Sequence, residues 1–159
     1  MSLTLDANVL LYASDAASPR HDRAREMVER VAAGPELAYL FWPTIMAYLR
    51  IATHPAIFDR PLPAGEALDN VQALLSRPQV RAPDEQPEFW RRYRSVAADA
   101  APTGNLVPEA HLVALMVENE VRTIWSHDRD FRRFKGIEVR DPFAAGTRPR
   151  SPRPDSLAP

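Results

Sequence analysis

The chain contains no cysteine. That absence excludes disulfides, thiolate metal sites and a catalytic thiol, and it fits a reducing compartment. Lysine is nearly missing as well: Lys135 stands alone, and every other basic side chain apart from histidine is arginine. Glycine is scarce, and the few present form no glycine-rich phosphate loop. There is no G-x-S-x-G elbow, and His21, His54, His111 and His127 show no H-x-x-x-H spacing. ATP hydrolysis, serine-hydrolase chemistry and a histidine zinc site are therefore set aside. No apolar run approaches the ~20 residues that span a bilayer. The first residues lack the basic-then-apolar layout of a secretion signal. The expectation is a cytoplasmic protein with no membrane partner. A formal net charge of -1 excludes coating of nucleic acid by bulk charge but leaves room for a local basic groove. Arginine in place of lysine, with abundant alanine and proline, reads as genome composition rather than as a signature of RNA binding.

What is present is a chain of 159 residues, 45% hydrophobic and 26% charged, enough to bury the core of one domain. Strand-like runs alternate with helical periodicity. Strands are expected at Leu3 to Leu5, Leu37 to Trp42, Val80 (an edge strand among prolines), Val121 to Trp125 and Ile137 to Val139. Helices are expected over Asn8 to Tyr12, Pro19 to Val31, Thr44 to Thr53, Ala64 to Leu75, Pro87 to Ala100 and Pro108 to Glu120. Apolar stripes place Leu68 on the inner side of the fourth helix, and Phe89, Trp90, Tyr93 and Val96 on that of the fifth. Trp42, Trp90 and Trp125 all read as core. The alternation implies an α/β fold of three layers, α/β/α, around a central, mostly parallel sheet. Residues 1–143 are expected to form this domain. The Pro/Arg-rich tail, 144–159, is expected to be disordered or to order only on a partner.

Right-handed crossovers bring the carboxyl ends of parallel strands to one edge, where open α/β sheets build their sites. Asp6 follows the first strand and Asp128 the fourth, so the two meet there. Glu109 opens a helix behind Pro108, and Asp130 follows Asp128. Each has a plainer role: Asp6 as an N-cap, Asp128 as a turn cap, Glu109 as a partner of the helix dipole, Asp130 in solvent. Taken together, carboxylates on rigid strand ends suit Mg²⁺ or Mn²⁺, which prefer oxygen ligands. Asn8 and Ser126 add polar groups to the same loops. Arg50, near the end of its helix, reads as a solvated arginine with phosphate contact as the alternative. His127, beside Asp128, is a secondary candidate for a proton donor.

These residues carry a family resemblance. Leu5-Asp6-Ala7-Asn8-Val9-Leu10 resembles the opening of PIN-domain proteins, specifically the VapC-type toxins of bacterial toxin–antitoxin pairs. Val107-Pro108-Glu109-Ala110-His111-Leu112-Val113-Ala114-Leu115 is similar to that family's third acidic motif, and Ser126-His127-Asp128-Arg129-Asp130-Phe131 to its closing motif. Tyr48-Leu49-Arg50-Ile51-Ala52-Thr53-His54-Pro55 is similar to one branch. The likeness runs from Leu3 to Phe143. It implies a PIN fold and a Mg²⁺- or Mn²⁺-dependent endoribonuclease acting on RNA. It further implies inhibition by a cognate antitoxin and a homodimer. Carried over, Asp6, Glu109 and Asp128 are the catalytic metal acids, Asp130 a further metal acid, and Asn8 and Ser126 orienting groups.

Two departures stand out. Glu109 replaces the usual Asp. The second acid, ordinarily a Glu in the helix after strand two, is missing, and Tyr48 takes its place in the sequence as an orienting group. Tyrosine is a poor Mg²⁺ ligand at neutral pH. The lost carboxylate motivates an alternative: a PIN-like domain that binds RNA or protein without cutting. A haloacid-dehalogenase-type phosphatase would need a second Asp where Asn8 stands and a suitably placed downstream lysine; Lys135, the only lysine, follows the acidic motif.

Overall fold

The computed structural model describes residues 1–145; the tail expected to be disordered therefore lies, from residue 146 on, outside the described residues. The elements run β1 (Ser2–Leu5), α1 (Ala7–Ser14), α2 (His21–Ala33), β2 (Leu37–Tyr39), α3 (Trp42–Ala52), α4 (Ala64–Leu75), β3 (Val80–Arg81), α5 (Phe89–Ala100), α6 (Leu106–Glu118), β4 (Thr123–Trp125) and β5 (Glu138–Arg140). A 3₁₀ turn covers Arg129–Arg133 between the last two strands. The five strands form one sheet in the order β3-β2-β1-β4-β5. Every pairing is parallel, with Leu5 opposite Trp125 at the centre and Trp125 opposite Arg140 beyond it.

Alternation along the strands builds two cores, one on each face. Leu3 and Leu5 of β1, Ala38 of β2 and Trp125 of β4 face a core completed by Val9, Leu10, Met27, Ile45, Tyr48, Val71 and Leu74 from α1 to α4. Ile124 of β4 faces the other core, with Phe41, Ala110, Leu112, Val113, Met116, Phe131 and Phe134 around α6. This is the period-2 arrangement of a sheet covered on both faces. At roughly 25 cal/mol per Å² of apolar area, side chains of this size stabilise by about 1.5–3 kcal/mol each when fully buried.

Local chemistry sets the element ends. Asp6 is extended and its side chain accepts from the Ala7 N–H, starting α1 directly from the end of β1. Pro43 sits in the first turn of α3, where its missing N–H costs no helical bond. Four expectations need correction. Helix α6 begins at Leu106, two residues before Pro108, because the backbone already turns at Gly104, whose φ is +54°. Trp90 and Trp42 are 67% and 43% exposed, leaving Trp125 as the one buried tryptophan. Helix α5 buries none of its residues fully, so its stripe of Phe89, Tyr93 and Val96 only leans on the α6 core, while Trp90 stacks on Tyr93 at the surface. Leu68 likewise points outward at 56% exposure, while Ala67, Val71 and Leu74 carry the α4 contact.

The connection from β1 leads to β2 on one side, and β4 pairs with β1 on the other. The strand order therefore reverses between β1 and β4, and the crevice at their carboxyl ends is the topological switch point of the sheet.

Candidate active site

Asp6 and Asp128 both emerge into that crevice. Together with Asn8, Glu109, Thr44, Ala47, Arg50, Asn105 and Phe131 they line an open cleft of about 330 Å³. Its floor is a hydrogen-bonded knot. Asp6 Oδ2 accepts from Ser126 Oγ at 2.7 Å and from Asn8 Nδ2 at 2.6 Å. Asp6 Oδ1 accepts from the Ala7 N–H at 2.7 Å. Ser126 Oγ in turn accepts from the Asp128 N–H at 2.9 Å. Buried Ser126 thus ties the acid after β1 to the loop after β4. Thr44 adds a longer link, its hydroxyl donating to the Leu5 carbonyl at 3.4 Å and holding the start of α3 against the end of β1.

The plainer roles of the acids are real and coexist with the cleft. Asp6 caps α1, and Asp128 Oδ1 accepts from the Asp130 N–H at 2.8 Å, capping the 3₁₀ turn. Glu109 lies in the first turn of α6, where the helix dipole favours an anion. Its Oε2 is nonetheless buried without a hydrogen-bond partner. Asp130 is exposed beyond the cleft wall and reaches Glu109 through its charge alone.

Electrostatics oppose ionisation here. Burial pushes the Asp6 carboxyl up; the Ser126 and Ala7 hydrogen bonds pull against that, and the charge of Asp128 adds to it. Burial also raises Glu109, a backbone hydrogen bond opposes, and the charges of Asp128, Asp6 and Asp130 raise it further. Carboxylates that repel one another, one of them with an orphaned oxygen, form a donor set that suits a divalent cation. Among the described residues no three acidic or imidazole side chains stand close enough together to hold a metal ion by themselves. That is compatible with Mg²⁺, which takes one or two protein carboxylates and completes its shell with waters and phosphate oxygens.

Tyr48 lies elsewhere. Its ring is fully buried, and its hydroxyl sits 2.8 Å from Ser14 Oγ and accepts from Asn70 Nδ2 at 3.0 Å. It lines a separate groove bordered by α1, α2 and α4. Helical geometry explains the displacement: Thr44, Ala47 and Ile51 share the face toward the acids, whereas Ile45, Tyr48 and Ala52 share the core face. The position on α3 that faces the acids is Ala47, so α3 brings no carboxylate into the cleft.

His127 is also committed. Arg20 Nη2 donates to its Nε2 at 3.1 Å, so the other nitrogen, Nδ1, carries the proton toward Asp141 Oδ2 at 3.0 Å. Tyr12 and Phe143 pack edge-on against the ring. The imidazole clamps the segment after β5 against α1 and α2 and offers no free proton. Arg50, read from the sequence as a solvated arginine with phosphate contact as the alternative, lines the cleft, as do Thr44 and Asn105, which the sequence did not single out; the i, i+3, i+6 spacing of Thr44, Ala47 and Arg50 was the available signal.

A parallel sheet with acids at its switch point defines the class, and residues 3–137 match the family model of the PIN domain. The chain belongs to the PIN-domain family, in its VapC-type branch. It is 53% identical to Ribonuclease VapC48 of Mycobacterium tuberculosis over 144 residues, covering 91% of this chain and 99% of the relative. It is 35% identical to Ribonuclease VapC37 of the same species, covering 88% and 96%. Among solved structures, the sarcin-ricin-loop-cleaving toxin VapC20 of Mycobacterium tuberculosis shares the fold with a TM-score of 0.61 at 15% identity, covering 82% of this chain and 92% of that one. VapBC2 of Rickettsia felis, bound to a promoter DNA fragment, aligns with a TM-score of 0.59 at 17% identity, covering 89% and 98%.

Proposed function

We propose that this protein is a VapC-type toxin that hydrolyses RNA phosphodiester bonds as an endoribonuclease. The observation that carries the reading is the meeting of Asp6, Glu109 and Asp128 in one cleft at the sheet's switch point. Similarity along most of the chain to named VapC ribonucleases, 53% and 35% identical, supports it. Asp6, Glu109 and Asp128 would hold Mg²⁺ or Mn²⁺, with Asp130 adding negative charge from outside the cleft. When bound, such a cation neutralises phosphoryl oxygens and acidifies water. The chain's own part is to hold the acids in place and to offset part of the cost of their charge. Ser126 and Asn8 donate to Asp6 and so stabilise its charged form. Ser126 also aligns the Asp128 loop, as outer partners of metal ligands do.

The partners follow from the same reading: an RNA with single-stranded segments as substrate, a cognate antitoxin as inhibitor, and a second copy of the chain as a homodimer. A cytoplasmic protein fits this role, and no helix among the described residues is long and apolar enough to cross a membrane. The test is incubation of antitoxin-free protein with total RNA in Mg²⁺, in Mn²⁺ and in EDTA. Discrete fragments in the metal lanes alone are expected. The missing carboxylate on α3 favours a second reading, a PIN-like domain that binds RNA or protein without cutting. Metal-independent RNA binding with intact RNA in every lane would select it.

A further inference from the structure

We infer that Arg50 is a substrate-binding residue that grips a backbone phosphate of the RNA inside the acidic cleft; the inference rests on the cleft being the ribonuclease site. Three carboxylates, Asp6, Glu109 and Asp128, line this cavity, and among its lining residues Arg50 is the one cation. A polyanion entering such a space is repelled by every ionised acid that no cation has neutralised. A guanidinium on the same wall supplies the opposite charge in a planar fork that matches two phosphate oxygens.

The arginine is held available for this. It is exposed, and it makes no hydrogen bond or ion pair with any described residue, although acids line the same cleft. Arg129, although it follows Asp128 directly, does not line the cleft. Arg20 is stacked over Tyr12 and bonded to His127, and Arg140 is bonded to Glu138. Arg50 stands on the face of α3 that also carries Thr44 and Ala47, so the helix presents a cation where it lacks a carboxylate. Thr44 fixes the start of that helix to β1, next to Asp6. The arginine is thereby carried on a rigid element in register with the acids.

The experiment measures binding apart from cleavage. A short fluorescein-labelled single-stranded RNA of randomised sequence is titrated in EDTA with wild type, Arg50→Ala and Arg50→Lys, at several salt concentrations. Arg50→Ala is expected to weaken binding on the order of ten-fold or more. The slope of log K against log salt should become shallower by about 0.7, the signature of one lost contact to single-stranded phosphate. Arg50→Lys should keep the slope and bind with intermediate affinity, because the charge stays and the fork is lost. Thermal melts should be unchanged, since Arg50 supports no other residue.

Equal affinity and slope for Arg50→Ala and wild type overturn the assignment, as does weaker binding with an unchanged slope. Total-RNA cleavage by wild type and by Asp6→Asn, run alongside, separates the two levels. Cutting that depends on Asp6 while Arg50→Ala binds normally removes Arg50 alone. RNA neither bound nor cut by wild type removes the underlying reading together with it.

Discussion

Ser126 Oγ lies 2.7 Å from Asp6 Oδ2, joining residues 120 positions apart in the chain at the point where β1 and β4 end. The bond stabilises the charged form of a buried carboxylate, and the same oxygen accepts from the Asp128 N–H. One hydroxyl therefore sets both the charge state of one acid and the placement of another.

Removing it has a directional consequence. In Ser126→Ala the Asp6 carboxyl loses the hydrogen bond that opposes its burial, so it rises further above the ordinary range. Asp6 then needs a higher pH to ionise. Cleavage at neutral pH should fall on the order of ten-fold, as for other outer partners of metal acids. The acid limb of the pH–rate profile should move to higher pH. A profile that keeps its shape would show that Ser126 serves the fold alone.

Glu109 carries a stability prediction. Its folded pKa is raised, chiefly by burial and then by neighbouring carboxylates, so the folded chain holds its proton to higher pH than the unfolded chain does. Stability from this group is present below the unfolded glutamate value of about 4.3 and is lost as pH rises through the raised folded value. Glu109→Gln removes that loss. It should raise the urea midpoint at neutral pH, with a stability gain of less than about 1 kcal/mol because the side chain is partly solvated. Near pH 4 the gain should vanish. Added Mn²⁺ should stabilise wild type more than the variant.

Helix α3 allows a paired comparison. Ala47→Glu places a carboxylate on the face that looks at the acids, and calorimetric titration with Mn²⁺ should show binding on the order of ten-fold tighter. Tyr48→Phe should leave cleavage unchanged and lower stability by about 1–2 kcal/mol, because Ser14 and Asn70 lose their common partner. The reverse outcome would place Tyr48, not Ala47, at the acids.

The reasons for that displacement show how much was legible in the sequence. Asp6, Asn8, Glu109 and Asp128 were legible because each follows a strand or opens a helix, and a parallel sheet brings such ends together. The α3 register was not: the order Ala47-Tyr48-Leu49-Arg50 suits either face until Tyr48 packs with Ile45 and Val71. Trp42 and Trp90 misled for a related reason. Trp42 closes an apolar run and Trp90 sits on a helical stripe, but the packing around them leaves both rings exposed. The sheet itself was legible from Leu3–Leu5 and Val121–Trp125, whose apolar runs flank acids. The edge strand at Val80 was foreseen because prolines stand on both sides of it.

A local test concerns Ala101, which closes α5 with a φ of +44°. A Cβ is disfavoured there, and glycine is the usual residue at such a helix end. Ala101→Gly should raise stability by about 0.5–1 kcal/mol, since the relief of strain exceeds the added freedom of the unfolded chain. A urea melt at constant m-value reads it directly.

The central claim, that the acids at the switch point cut RNA, is tested most directly with Asp6→Asn. The variant and wild type are incubated with total RNA and Mn²⁺, and near-UV circular dichroism checks the fold of both. The account predicts discrete fragments from wild type and none from a folded Asp6→Asn protein. Cleavage by that variant within about ten-fold of the wild-type rate, against the larger loss expected when a metal ligand is removed, would contradict it.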